Sequence, residues 1–324
     1  MGTCAIVRAY GVDAMNPPSS GVRLADRAVS RLAGGLKARE NPHMPNPISD
    51  PLVENVIVDD LTKVMTLETT PEGVATVTIT RPAKKNAFDT TTIEALTEAF
   101  ETMQGADHVR IVFLRGAGGT FSAGGNLEWM ALAAEMTEAD NRADAMTVAV
   151  MLKALADIPA VTVALVEGAA FGGGAGLVAA CDLAVAAQDA RFAFAEVKLG
   201  LTPAVIAPYV VNAIGPRSAK ALFVTGRTFD AAEAQRIGLI QEVVADAAAL
   251  GQAQSRLTAE VMAAAPGAVV AAKKLTWDVW GRPLDHALME ETAKRLAHRR
   301  VSDEGKEGVA AFLKHRKPGW VTQD

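Results

Sequence analysis

Two glycine-rich segments of this 324-residue chain could stabilise negative charge through their backbone. The first is GTFSAGGN at 119–126, and the second is GAAFGGGAGL at 168–177. A backbone N–H in a turn or at the start of a helix has no partner within the helix, so it can bind an anion or a carbonyl oxygen that gains charge. Glycine at such a point lets the bound group approach the backbone closely.

One acidic residue follows these segments in apolar surroundings. Glu196 stands in ARFAFAEVKLG (190–200), with Phe194 before it and Val197 after it. Apolar neighbours raise the pKa of a carboxyl towards the working pH, which suits a group that both accepts and donates a proton. We therefore predict acid/base chemistry at Glu196; a surface or helix-capping carboxylate is the alternative.

The motifs of several other enzyme classes do not occur in the sequence. The chain contains no G-x-S-x-G serine nucleophile motif, no phosphate-binding G-x-x-x-x-G-K-[ST] and no metal-ligand spacing. Of its two cysteines, Cys181 stands in an apolar segment and reads as a small buried hydrophobe. The net charge of −5 gives no basic footprint for nucleic acid, and no apolar run is long enough to cross a bilayer. These features predict a cytoplasmic protein without a metal.

Strands and helices alternate in the predicted core. Strands are expected at 74–80, 109–116, 160–168 and 182–187, and a helix is expected to begin at Asp89 or Thr90 as N-cap. Residues 127–157 and nearly all residues from about 215 onwards have helical patterns. This order predicts an α/β core with crossover connections, followed by a helical C-terminal region.

Taken in series, five segments resemble the crotonase superfamily, the enoyl-CoA hydratase/isomerase proteins, and the nearest branch is that of the methylglutaconyl-CoA hydratases. The segments span Met65 to Trp320 and are GVATVTITRPAKKNAF (73–88), GTFSAGGNLEWM (119–130), GAAFGGGAGLVAACDLAVAA (168–187), ARFAFAEVKLGLTPAVIAPYVVNAIG (190–215) and TGRTFDAAEAQRIGLIQEVV (225–244). The resemblance implies the ClpP/crotonase-like fold of stacked ββα units at 65–258. It also implies a helical region at 259–324 that covers the site or forms a homotrimer or homohexamer.

The resemblance also implies a mechanism. An acyl-CoA thioester is the substrate and no cofactor is needed, and the thioester oxygen would accept hydrogen bonds from the N–H groups of Ala123 and Gly173. Such a donor is commonly worth about 3–4 kcal/mol in the transition state. Glu196 matches a family glutamate that transfers protons. The other residues expected at the substrate or CoA are Lys84, Lys85, Ala87, Gly124, Gly125, Asn126, Trp129, Gly172, Gly176, Pro203 and Phe312.

Gly176 is a departure from the family pattern. Many hydratases of this family carry a second glutamate at that position, and two carboxylates then share one water. Without it, three functions stay open: a hydratase that uses Glu196, an isomerase that moves a proton between two carbons, and a non-catalytic acyl-CoA binder. Glu128 and Glu135 are considered as replacements for the lost acid; a solvated position is the alternative for both.

Residues 1–64 differ in composition from the rest of the chain. Proline-rich stretches at 16–21 and 41–51 flank a basic amphipathic segment, which predicts a poorly ordered extension. A start of translation at Met44 or Met65 and a targeting segment are the competing interpretations. Acidic residues at 26 and 40 weaken the second one.

Overall fold

Nine strands form two sheets in residues 64–321, the part of the chain that the structure, a computed structural model, describes. The strands are β1 (Met65–Thr69), β2 (Val74–Ile79), β3 (Ile111–Gly116), β4 (Val161–Val166), β5 (Ala169–Phe171), β6 (Leu183–Ala187), β7 (Arg191–Ala193), β8 (Thr228–Asp230) and β9 (Glu242–Val244). The large sheet has the order β1-β2-β3-β4-β6-β9, and only β1 is antiparallel to its neighbour. The small sheet has the order β5-β7-β8.

Helices connect the parallel strands of the large sheet and form most of the described chain after β9. Within the described residues the helices are α1 (Thr90–Gln104), α2 (Leu127–Ala134), α3 (Glu138–Ala156), α4 (Gly173–Ala180), α5 (Ala207–Thr225, interrupted at Gly215), α6 (Ala231–Arg236), α7 (Ala247–Ala263), α8 (Pro266–Val279), α9 (His286–Val301) and α10 (Asp303–Leu313). Asp89 is the N-cap of α1, since its carboxylate accepts the Thr92 N–H at 3.1 Å. Such a cap satisfies an N–H that the first helical turn leaves free.

Apolar side chains cover both faces of the large sheet. Ile111 and Phe113 of β3 pack in one cluster together with Leu257 of α7. Val112 and Leu114 of the same strand belong to the other cluster, which includes side chains of α1, α3 and α4. Alternate residues of β3 thus enter opposite clusters, as expected for a strand that is buried on both faces.

An ion pair fixes the C-terminal region to the core. Lys273 of α8 pairs with Asp182 at 2.7 Å, and its Nζ donates to the carbonyl oxygens of Ile158 at 2.7 Å and Ala160 at 3.1 Å. Both charged side chains are largely shielded from water. Three acceptors for one ammonium group offset its burial, so α8 is held at the starts of strands β4 and β6.

The predicted α/β class with a helical C-terminal region is confirmed. The boundary expected between residues 258 and 259 falls inside α7, and the predictions for residues 1–63 lie outside the described residues. No helix among the described residues is long and apolar enough to cross a membrane. A group of three or more His, Cys, Asp or Glu side chains able to hold a metal ion is likewise not found between residues 64 and 321.

Candidate active site

A ladder of backbone hydrogen bonds joins residues 85–88 to residues 122–126. The Phe88 N–H donates to the Gly124 oxygen at 2.7 Å, and the Phe88 oxygen accepts the Asn126 N–H at 2.7 Å. The N–H of Gly125, between these two contacts, donates to no acceptor among residues 64–321. Gly125 is also partly accessible. Its N–H is therefore free to bind an oxygen of a ligand.

The same ladder contradicts the predicted role of Ala123. The Ala123 N–H donates to the Lys85 oxygen at 2.9 Å, which holds the two segments together. A donor that is already engaged cannot also receive a thioester oxygen without breaking this bond. The free donor lies two residues later, at Gly125, which the sequence had assigned only to substrate contact.

Buried polar side chains hold the first segment in place. Asn86 has a positive φ of 54°, and its Nδ2 donates to the oxygens of Ala117 at 2.9 Å and Thr120 at 2.6 Å. Ser122 is fully buried; its Oγ donates to the Asn86 oxygen at 2.8 Å and accepts the Gly124 N–H at 3.1 Å. These contacts fix the backbone before the Gly125 amide, and the Asn126–Phe88 hydrogen bond fixes it after that amide. Neither residue was singled out in the sequence.

Gly173 presents the second free amide, at the first residue of α4. Its N–H has no acceptor among the described residues, as expected at a helix N-terminus, where the helix dipole also favours negative charge. The preceding Gly172 has φ 49° and ψ −118°, a conformation that residues with a Cβ rarely adopt. The prediction of an available Gly173 amide agrees with this geometry.

The two glycine segments touch each other. A Cβ on Gly124, which has φ 84°, would lie 2.6 Å from the Phe171 oxygen and 3.4 Å from the Gly173 nitrogen. Only glycine permits so close an approach at this position. The free amides of Gly125 and Gly173 thus belong to two loops in direct contact.

Glu196 lies beside these loops in a short 3-10 helix, Glu196–Leu199. Its Oε1 is 3.2 Å from the place that a Cβ on Gly172 would occupy, and its Oε2 is buried with no hydrogen-bond partner in the described residues. Loss of water around the carboxyl raises the pKa of Glu196, against a smaller opposing effect of its own backbone N–H. A buried oxygen without a partner, beside the glycine that precedes the free Gly173 amide, is able to accept and return a proton.

Gly176 is buried under the side chain of Ile206. A Cβ at Gly176 would lie 2.3 Å from Cγ2 and 2.9 Å from Cβ of Ile206. This packing contradicts the prediction that Gly176 contacts the substrate, because Ile206 takes the volume next to it. No side chain fits at position 176 while Ile206 stays in place.

The two acidic residues considered as replacements are exposed. Glu128 pairs with Lys84 at 2.7 Å, and their side chains are 79% and 46% exposed. The hydrogen bond from Lys84 lowers the pKa of Glu128, which is opposite to what a proton donor near neutral pH needs. Glu135 is exposed at the end of α2. Both therefore occupy solvated positions.

The remaining predicted residues lie at different distances from the two amides. Trp129 is close, since its Cζ3 is 3.5 Å from the place of a Cβ on Gly125, and its Nε1 donates to Asp144 at 3.2 Å. Asn126 caps α2 by accepting the Glu128 N–H at 2.8 Å. Lys85 and Ala87 belong to the ladder, Pro203 is buried after Glu196, and Phe312 lies on α10, with 79% of its surface exposed.

Cys181 takes no part in this arrangement. Burial raises the pKa of its thiol, which keeps it protonated and unreactive, as the sequence predicts for a structural cysteine. It lines a cavity of about 270 Å³ together with Trp277 and Trp280, at the contact of α8 with the core.

Comparisons with known proteins identify relatives of this chain. The family model described as enoyl-CoA hydratase/isomerase matches residues 69–323. A Thermus thermophilus protein named as an enoyl-CoA hydratase is 33% identical over 247 residues, which cover 76% of this chain and 96% of that protein. Among solved structures, an enoyl-CoA hydratase from Shewanella pealeana has a TM-score of 0.76 at 35% identity, covering 79% of this chain and 96% of that one. Pseudomonas aeruginosa AtuE has a TM-score of 0.76 at 37% identity, with coverage of 80% and 100%.

Proposed function

Because this chain belongs to the enoyl-CoA hydratase/isomerase family, we propose that it hydrates a branched or modified enoyl-CoA with Glu196 as its only acid/base group. The chain is an enzyme of this family, whose substrates are CoA thioesters. The unpartnered, buried Oε2 of Glu196 beside the free amides of Gly125 and Gly173 is the observation that supports the proposal most directly. A methylglutaconyl-CoA-like acyl group is the substrate that the sequence favours.

In the proposed reaction the thioester oxygen accepts the N–H groups of Gly125 and Gly173. Glu196 takes a proton from a water molecule while the water oxygen bonds to C3 of the enoyl group. The π electrons of the C2–C3 bond move to form an enolate, whose charge rests on the thioester oxygen. Glu196 then returns the proton to C2, so that one water is added and the carboxylate is regenerated. Fixed amides stabilise the enolate without reorganising.

The proposed contacts with the CoA moiety are made by Lys84, Lys85 and Phe312. Lys84 and Lys85 carry charges that suit the phosphates of the nucleotide, and Phe312 is proposed to cover the adenine. We propose that Phe312 comes from a second copy in a homotrimer or homohexamer, since this side chain is exposed in the single chain. No metal or organic cofactor enters the proposed reaction, and a cytoplasmic location stays a prediction.

A second candidate reaction is the shift of a double bond from C3 to C2. Ile206 presents a buried apolar surface at Gly176, one turn along from the Gly172 that Glu196 contacts, which reduces the room for water there. In a dry site, Glu196 would take a proton from C2 and deliver it to C4. This isomerase and the hydratase use the same residues and differ in whether water enters.

Turnover by a Glu196→Gln variant tests the proposal. Hydration of 2-enoyl-CoA thioesters is measured as the loss of their conjugated absorbance. We expect its rate to fall by roughly 10²–10⁴-fold, the usual contribution of general acid/base catalysis. Glu135→Gln, at an exposed position, is the control and should keep its activity. A 3-enoyl-CoA assayed in parallel separates the isomerase from the hydratase.

Two results would contradict acid/base catalysis at Glu196. Undiminished turnover of the Glu196→Gln variant on both substrates would exclude its role. Tight binding of acyl-CoA in calorimetry, with no turnover of either substrate class by the wild-type protein, would leave the chain as a non-catalytic binder.

A further inference from the structure

Two glycines at the start of α4 lie against side chains from the following segment. Gly172 and Gly176 are one helical turn apart, since the Gly176 N–H donates to the Gly172 oxygen at 3.0 Å. Glu196 lies next to the first and Ile206 next to the second. The carboxyl and the isoleucine side chain thus contact two glycines one turn apart, the N-cap Gly172 and Gly176 in the first turn of α4.

Ile206 is held where it stands. Only 3% of its surface is exposed, and it is the N-cap residue of α5. Its carbonyl oxygen accepts the N–H groups of Tyr209 and Val210, both at 3.1 Å. This backbone is part of the first turn of α5, and burial of the side chain restricts its movement away from Gly176.

Apolar groups predominate around this position. Helix α4 carries no titratable side chain, and Lys198, on the same turn as Glu196, is exposed. On α5, burial raises the pKa of the Tyr209 phenol and the negative charge of Asp157 adds to this effect, while Arg217 and Lys220 lie farther along that helix. On β7, Arg191 is exposed and donates to nearby backbone oxygens. Burial raises the pKa of Glu196, and no charged neighbour contributes to the shift.

We propose that Ile206 is a specificity-determining residue, which takes the volume that any side chain at position 176 would need and so leaves proton transfer to the single carboxylate of Glu196. The inference rests on the proposed function of Glu196 as acid/base. Ile206 excludes a second proton-transferring group and excludes water from the adjoining surface. The identity of residue 206 thereby sets how many carboxylates the site can hold.

Stability measurements on paired variants test the packing without any assay of activity. Gly176→Glu alone should lower the midpoint of thermal unfolding by about 5–10 °C, since it overpacks the contact with Ile206. In an Ile206→Gly background the same change should cost less than half as much, because the cavity receives the new side chain. Ile214→Gly, which removes a buried isoleucine from the same helix, should give no such relief. Equal costs of Gly176→Glu in all backgrounds would overturn the proposal.

The pH profile tests the effect of Ile206 on the reaction. Ile206→Ala should admit water, so the acid limb of kcat/KM should move by at least half a pH unit to lower pH, whereas Ile214→Ala should leave it in place. The Gly176→Glu/Ile206→Gly variant should show a second ionisation, since two adjacent carboxyls share a proton. An unchanged acid limb in Ile206→Ala would overturn the inference even if Glu196→Gln abolishes turnover. Wild-type-like turnover of Glu196→Gln, by contrast, would refute the proposed function and leave the packing result standing.

Discussion

At the scale of single residues, the burial of Glu196 lowers the stability of the fold. Its Oε2 is buried without a hydrogen bond among the described residues, although carboxylates in proteins are normally solvated or paired. Desolvation raises the pKa of Glu196, so its charged form is less stable in the native protein than in water. The feature that suits it for proton transfer therefore weakens the native state at neutral pH.

This conflict predicts a pH-dependent gain in stability for Glu196→Gln. A carboxyl whose pKa is raised in the native state stabilises that state at pH values below its ordinary pKa of about 4.3. This stabilisation is lost as the pH rises through the pKa of the native state. The glutamine has no charge to desolvate and escapes this loss. We expect the variant to unfold at a higher temperature than the wild type at pH 8, and the difference to shrink towards pH 4. An equal difference at both pH values would show that the carboxyl is not destabilised by burial.

The hydroxyl of Ser122 links the two segments that hold the Gly125 amide in place. Removing this hydroxyl gives a second prediction. Ser122→Ala leaves the buried Asn86 oxygen and the Gly124 N–H without a partner, at a cost of about 1–3 kcal/mol. We expect kcat on the preferred enoyl-CoA to fall about tenfold, since the neighbouring donor loses its fixed position. Ser255→Ala, which removes an exposed hydroxyl from α7, is the matched control. Equal kcat values for the two variants would contradict this positioning role.

At the scale of elements, the Lys84–Glu128 ion pair links α2 to the residue directly before the 85–88 segment of the ladder. Both side chains are substantially exposed, so the pair contributes little to stability. The carboxylate of Glu128 nevertheless binds the ammonium group of Lys84, which is proposed to bind a CoA phosphate. The carboxylate of Glu128 therefore competes with the ligand for the same charge.

This competition predicts tighter CoA binding by Glu128→Gln. Removing the carboxylate frees Lys84, and we expect the Kd for free CoA, measured by calorimetry at low salt, to fall about threefold. The gain should disappear at high ionic strength, where exposed charges are screened. Lys84→Gln should weaken binding, and Glu135→Gln, at the end of the same helix, should leave the Kd unchanged. Weaker binding by Glu128→Gln would argue that the ion pair itself shapes the site.

The sequence predicts the long elements but not the contacts between loops. Strand β2 and helix α1 have clear periodicity and a capping residue, and they lie within one or two residues of the predicted positions. Strands β5, β7 and β8 have three residues each, too few for a pattern, and form only through pairing with distant segments. The same reason explains the error at Ala123. Which amide is free depends on the register of a ladder with residues 85–88, and local composition does not encode that register.

At the scale of the whole molecule, composition predicts a helical C-terminal region but not how it is anchored. No sequence motif marks Lys273, yet it pairs with Asp182 some ninety residues earlier in the chain. The packing around Gly176 also depends on tertiary structure. Its sequence context indicates an absent carboxylate, and only the packed structure shows that Ile206, from the start of α5, occupies the volume.

Helix α10 presents several exposed apolar side chains, and these predict how the molecule assembles. Val309, Phe312 and Leu313 are 62%, 79% and 70% exposed, which is costly for a chain that stays alone in water. If a second copy covers this face, Phe312→Ser should shift the mass measured by light scattering from trimer or hexamer towards monomer. KM for the acyl-CoA should rise several-fold while kcat changes little, because Phe312 is proposed to cover the adenine and not the reacting carbons.

Val224→Ser, a comparably exposed apolar side chain on α5, should keep the wild-type mass. A wild-type protein that is monomeric at micromolar concentration would refute the assembly, and an unchanged KM in a dissociated Phe312→Ser variant would separate assembly from CoA binding.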